Sequence, residues 1–71
     1  MEQEFRKILA FNIKIERIRN HITQEKLAEL VGVSTKHITK IEAGVVTPSV
    51  YLVYKIAKNL NVSMDLLMSK R

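Results

Sequence analysis

Cysteine is absent from this 71-residue chain, and glycine and proline are scarce, at two and one. Without cysteine there is no disulfide framework, no thiolate zinc site and no cysteine nucleophile, and the composition suits a reducing compartment. So little glycine and proline leaves almost no room for linkers, so the whole chain is expected to fold. Charge interrupts every apolar stretch, and none approaches the roughly 18 to 20 apolar residues of a membrane span. The first residues, MEQEFRKILAF, carry acids where a signal peptide carries bases, and no small-residue cleavage site follows. These absences set the expectation of a cytoplasmic protein with no membrane association.

What is present is a hydrophobic fraction of 46% and a formal net charge of +5. The length fits one domain, residues 1–71, near the lower limit for a self-sufficient core, and a partner subunit is one way to add to that core. A surplus of positive charge favours nucleic acid, an anionic membrane surface or an acidic protein, and does not choose among them.

The stretch TQEKLAELVGVSTKHITKIEAG, residues 23–44, organises the rest. Leu27, Ala28 and Val31 make one apolar stripe at helical spacing, and Val33, Ile38 and Ile41 make a second. Thr23 and Ser34 stand just before these patterns, where a hydroxyl can accept from the unpaired amides of a first helical turn. Gly32 and Gly44 fall just past them and suit the left-handed residue that ends a helix. Two short helices on a tight turn cannot bury both stripes alone, so the remaining segments are expected to be helices packed against them.

A first and longest helix is expected over residues 2–20, with Ile8, Phe11, Ile15, Ile18 and Ile22 as its apolar stripe. Phe5 and Leu9 widen that face, so residues 1–12, an N-terminal extension of the first helix, have something extra to cover, either the core or another subunit. Glu2 and Glu4 suit its positive end, Arg17 and Arg19 its negative end. Further on, Thr47 is the expected cap of a fourth helix with Pro48 at its first position, Ser49 being the alternative cap. Val53, Ile56, Ala57 and Leu60 give this helix its buried face, and Asn61 can end it. Ser63 then caps a short fifth helix with Met64 and Leu67 turned inward. No strand pattern, internal repeat or low-complexity segment competes, so the expected fold is all-α with five helices.

The chemistry lies in what residues 34–43 present to solvent. Thr35, Lys36, Thr39 and Lys40 point outward, with His37 near the edge and no acid before Glu42. A helix of this kind fits the major groove of B-DNA, where lysine donates to guanine N7 and O6 and threonine meets base edges or a thymine methyl. An ordinary solvated helix face would look much the same. The preceding helix begins Thr23-Gln24-Glu25, and its amide-rich end could hold a phosphate, with Gly44, Val45 and Val46 as a second backbone anchor. His21 and His37 lack cysteine or paired-carboxylate company, so no metal is expected. No nucleophile turn is present and so small a core leaves little space for a substrate pocket, so catalysis is not expected.

ITQEKLAELVGVSTKHITKIEAG, then TPS, then KIAKNLNVSMDLL resembles the Xre-type helix-turn-helix regulators, the phage repressor and Cro class, over about residues 13–68. The resemblance implies a five-helix lambda-repressor-like DNA-binding domain, with the helix-turn-helix at residues 23–44, that needs no cofactor. It further implies a homodimer on a palindromic operator, regulating transcription. Thr35, Lys36, Thr39 and Lys40 fall where such proteins read bases; Thr23, Gln24, Ala43, Gly44, Val45 and Val46 fall where they meet phosphate, and Gln24 would also stand near the start of the recognition helix, able to brace a base-reading side chain. Relatives often carry a basic or amide side chain after the glycine, so with Val45 and Val46 contact would rest on backbone amides. The family also pairs an arginine late in the first helix with the glutamate before the loop, here Glu42. Ungapped matching selects Arg17, the preferred partner; a short deletion selects Arg19. Tyr51, Tyr54, Leu66 and Met68 are the dimer-interface candidates. The competing reading is a small helical protein-interaction module, an antitoxin or adaptor, that uses Val45, Val46, Tyr51 and Leu66 to bind a protein.

Overall fold

The computed structural model describes residues 2–71 and contains five helices. In chain order they are α1 (Glu2–Arg19), α2 (Gln24–Val31), α3 (Thr35–Glu42), α4 (Val50–Leu60) and α5 (Met64–Met68). Each of the last four starts on a side-chain cap: Thr23, Ser34, Ser49 and Ser63 accept from Lys26, His37, Leu52 and Leu66 amides respectively. Each hydroxyl satisfies one donor that the first helical turn leaves without a partner.

The helix ends are equally local. Gly32 (φ 76°), Gly44 (φ 74°) and Asn61 (φ 59°) all take the left-handed conformation that closes a helix. After α1, where no glycine is available, His21 takes that role at φ 58°. A residue with a Cβ held there costs about 1 kcal/mol or more relative to glycine.

One hydrophobic core joins the five helices. Leu9 and Ile13 of α1, Leu27 of α2, Ile38 and Ile41 of α3, Ile56 and Leu60 of α4 and Leu67 of α5 are all essentially inaccessible. Polar braces seal the seams. Asn12, itself buried, donates from Nδ2 to the carbonyls of Leu66, Leu67 and Ser69 at 3.2, 2.8 and 2.7 Å and so closes the end of α5. Its Oδ1 has no partner among the described residues. Lys55 does the same for α2, donating to the Val31 carbonyl at 2.8 Å.

Two expectations need correction. The apolar stripe of α1 is not the buried one: Leu9, Ala10, Asn12, Ile13 and Glu16 face the core, while Phe11 and Ile18 are 56% and 50% exposed and Ile8 and Ile15 half-buried. Helix α1 carries two apolar stripes, and apolar spacing alone does not say which one the other helices meet. Leu9 and Ala10 are buried, so of the two surfaces this segment is expected to cover, these residues meet the core. The second correction concerns α4, which Ser49 caps, not Thr47; Pro48 precedes the cap and is buried. Thr47 is engaged elsewhere, accepting from Arg6 Nε at 2.9 Å.

Candidate nucleic-acid interface

Helices α2 and α3 form the surface of interest. Ile38 and Ile41 fix α3 on its inner side, and its outer side leaves Thr35, Lys36, Thr39 and Lys40 exposed. His37 is half-buried at the edge. The acid at the end of this helix, Glu42, is turned away from that surface: its side chain is 3% exposed and is held by Arg17. Arg17 Nε and Nη2 donate to the two carboxylate oxygens at 2.7 and 3.0 Å, and Nη1 donates to the Ile22 carbonyl at 2.8 Å. Of the two arginines late in α1, Arg17 is therefore the one that reaches Glu42. Arg19 bonds to Glu16 instead, at 3.2 Å.

The pair does not stop at charge neutralisation. Gln24, the first residue of α2, donates from Nε2 to Glu42 Oε1 at 2.9 Å, and its Oε1 accepts from Thr39 Oγ1 at 2.8 Å. A chain of contacts thus runs Arg17, Glu42, Gln24, Thr39, from the buried side of α1 to the exposed side of α3. Thr39 Oγ1 also lies 3.0 Å from the Thr35 carbonyl. Having one hydrogen to share between two acceptors, Thr39 is left to offer its methyl group and an oxygen lone pair to anything outside. Lys36 and Lys40 remain the free donors of the surface, since no ion pair involves either among the described residues.

The flanks of α3 supply backbone and hydroxyl groups. Thr23 accepts from the Lys26 amide at 3.0 Å and keeps its own hydroxyl hydrogen for an outside acceptor. The loop after α3 is different from expectation. The Ala43, Gly44 and Val45 amides already donate to Thr39, Ile41 and Lys40 carbonyls at 3.0, 3.0 and 3.2 Å. Of the expected anchor residues Ala43 to Val46, the Val46 amide alone makes no such bond among the described residues, so the expected backbone anchor reduces to one N–H. The Val46 side chain is partly buried against the core, whereas Val45 is 58% exposed.

Sequence reading missed the groups that hold this loop in place. A Cβ built on Gly44 would lie 3.8 Å from Ala10 Cβ and the Arg6 carbonyl, so the loop rests on the first half of α1. Arg6 then ties Thr47 and Glu2 together, with the ion pair to Glu2 at 3.1 Å. Residues 41 apart in sequence leave no periodic signal. Tyr51 (67%), Tyr54 (47%), Leu66 (36%) and Met68 (38%) are all exposed. Lys55 Nζ sits 4.7 Å from the Tyr51 ring centroid and Lys58 Nζ 5.9 Å from that of Tyr54. Among the described residues no cluster of acids or histidines can hold a metal, and no helix is long and apolar enough to cross a membrane.

A capped helix pair in a five-helix domain, with a cationic outer face on the second helix, defines a helix-turn-helix DNA-binding protein. The comparisons agree. The family model described as helix-turn-helix matches residues 13–67. An HTH-type transcriptional regulator of Methanocaldococcus jannaschii is 42% identical over 53 residues, which cover 75% of this chain and 80% of that protein. YgzD of Bacillus subtilis, also an HTH-type transcriptional regulator, is 40% identical with the same coverage. Among solved structures, the hypothetical transcription factor NHTF from Neisseria superposes with a TM-score of 0.88 at 26% identity, covering 97% of this chain and 79% of that one. A transcriptional regulator from Vibrio cholerae gives 0.86 at 27% identity, covering 94% and 38%. The chain belongs to the Xre-type helix-turn-helix transcriptional regulators, a family of DNA-binding proteins and not of enzymes.

Proposed function

We propose that this chain regulates transcription in the cytoplasm by binding a palindromic double-stranded operator as a homodimer, with residues 34–43 in the major groove. The observation that carries this reading is the chain of contacts from Arg17 to Thr39. A base-reading helix must be held at a fixed depth and rotation, and Gln24 and Glu42 hold α3 from behind while Lys36 and Lys40 stay free in front. With its side chains, an α-helix is about 10–12 Å across, the width of the major groove.

In this reading Lys36 and Lys40 donate to guanine edges, and Thr35 and Thr39 offer methyl and hydroxyl groups to neighbouring bases. Thr23, the start of α2 at Gln24 and the Val46 amide meet phosphates and set the depth of insertion. Ala43, Gly44 and Val45 contribute by shape, because their amides are engaged. The exposed Tyr51, Tyr54, Leu66 and Met68 supply apolar surface for the second copy.

Selection of bound sequences from random DNA tests the reading. The expected product is a palindrome whose half-sites lie about one helical turn apart, 10 to 10.5 base pairs, or a multiple of it. Lys36→Ala should lose about 1–3 kcal/mol on that operator and relax one base preference, and affinity should fall steeply with salt. An unenriched pool, or equal affinity of wild type and Lys36→Ala for every duplex at one salt concentration, contradicts base reading.

A further inference from the structure

The DNA-facing elements touch only one flank of α1. Arg6, Ala10 and Arg17 meet the loop after α3 and Glu42. At roughly 100° per residue, Ile8, Phe11, Ile15 and Ile18 fall on nearly the opposite side of the helix. Their spacing of three, four and three residues is that of the a and d positions of a coiled-coil seam. Inside the protomer this seam has no partner helix, since Phe11 and Ile18 are 56% and 50% exposed. Toward α5 it opens into a groove of about 300 Å³ whose walls include Ile8, Phe11, Asn12, Lys70 and Arg71.

The charge around the seam identifies the occupant. At the same 100° per residue Lys7 and Lys14 fall beside one edge of the seam and Arg19 beside the other, and Lys7, Lys70 and Arg71 line the groove. Among the described residues only Glu4, paired with Lys70 at 3.6 Å, and the buried Glu16, held by Arg19 and Arg71, offset them. A second copy seated here on a two-fold axis would set this cationic rim against itself. We infer that the outer stripe of α1 is a docking surface for an amphipathic helix of another protein, one with apolar residues at heptad spacing and glutamate or aspartate on both flanks. The seam from Ile8 to Ile18 is roughly 15 Å long, three turns of such a helix. Docking here leaves α3 open, so partner and DNA can be held at once.

The test uses the full chain and a fluorescein-labelled synthetic helix of three heptads, with leucine at a and d and glutamate at the flanking positions. Anisotropy should show saturable binding, with amide shifts in an NMR titration centred on residues 7–19. Phe11→Ser combined with Ile18→Ser should weaken binding at least tenfold, and both positions are exposed enough to leave the helical circular dichroism unchanged. Lys7→Glu with Lys14→Glu keeps the apolar seam, and should weaken the glutamate-flanked peptide at least tenfold while strengthening a lysine-flanked one. Three results overturn the proposal: no saturable binding, equal binding of acidic and basic peptides, or shifts centred on α3 or α4. A fourth does so differently: if Phe11→Ser with Ile18→Ser converts a dimer to a monomer, the seam belongs to a second copy of this chain.

Discussion

Helices α1 and α4 look alike as sequences and behave differently as structures. Each carries aliphatic residues at steps of three and four. In α4 the stripe of Val53, Ile56, Ala57 and Leu60 is the buried one, as its spacing predicts. In α1 the more regular stripe, Ile8 through Ile18, is the one left half-covered, and the less regular Leu9, Ala10 and Ile13 enter the core with two polar residues, Asn12 and Glu16. The difference is one of partners. Helix α4 sets its aliphatic stripe on α2 and α5 and leaves Val50, Tyr51 and Tyr54 exposed, whereas α1 has two aliphatic stripes and the other helices cover one of them. Periodicity reports that a face is apolar, and only contact decides what it faces.

Substitutions can break or sharpen that comparison. The largest expected effect is at the buried pair. Glu42→Ala leaves the Arg17 guanidinium without its carboxylate at a site where both side chains are largely shielded, and should cost about 3–5 kcal/mol in chemical denaturation. Replacing both residues by Met and Leu should restore most of that stability and still weaken operator binding, because Gln24 and Thr39 lose their support. A stable double variant with unaltered DNA affinity would remove the positioning role.

Next come the two stripes of α1. Ile13→Ala, at a fully buried site, should cost about 2–5 kcal/mol, and Phe11→Ala about 0.5 kcal/mol or less. Similar losses at both would mean that the outer stripe is packed. A smaller pair separates the two candidate caps of α4: Ser49→Ala should cost about 1 kcal/mol, and Thr47→Ala no more than a few tenths of that at the helix start. A last effect has the opposite sign. His21→Gly relieves a left-handed residue and should stabilise by about 0.5–1 kcal/mol, after allowing for the extra freedom of glycine in the unfolded chain. Thermal denaturation resolves both cap variants and this one.

Much of the fold was legible because its signals are local. A hydroxyl before an apolar pattern and a glycine or asparagine after it bracket α2 and α3, and Ser63 and Asn61 do the same around α5 and at the end of α4. Thr35, Lys36, Thr39 and Lys40 were legible as an outward face for the same reason: Ile38 and Ile41 between them point the other way. The Arg17–Glu42 pair, 25 residues apart, was anticipated only through the family resemblance, and most other contacts between distant residues could not be read. The contacts of Gln24 with Glu42, of Arg6 with Thr47 and of Lys55 with the Val31 carbonyl depend on packing that no window of sequence contains. The loop after α3 misled for a related reason. Its amides looked available until the closure of the helix claimed the Ala43, Gly44 and Val45 donors.

The central claim is that the outer face of α3 meets base edges while the outer stripe of α1 stays clear of DNA. Titrating the isotope-labelled chain with its selected operator and following amide and side-chain shifts tests this directly. The largest changes are expected at Thr35, Lys36, Thr39, Lys40 and Val46, with Phe11 and Ile18 unmoved. Changes concentrated on Phe11, Ile15 and Ile18, with Lys36 and Lys40 silent, would contradict it.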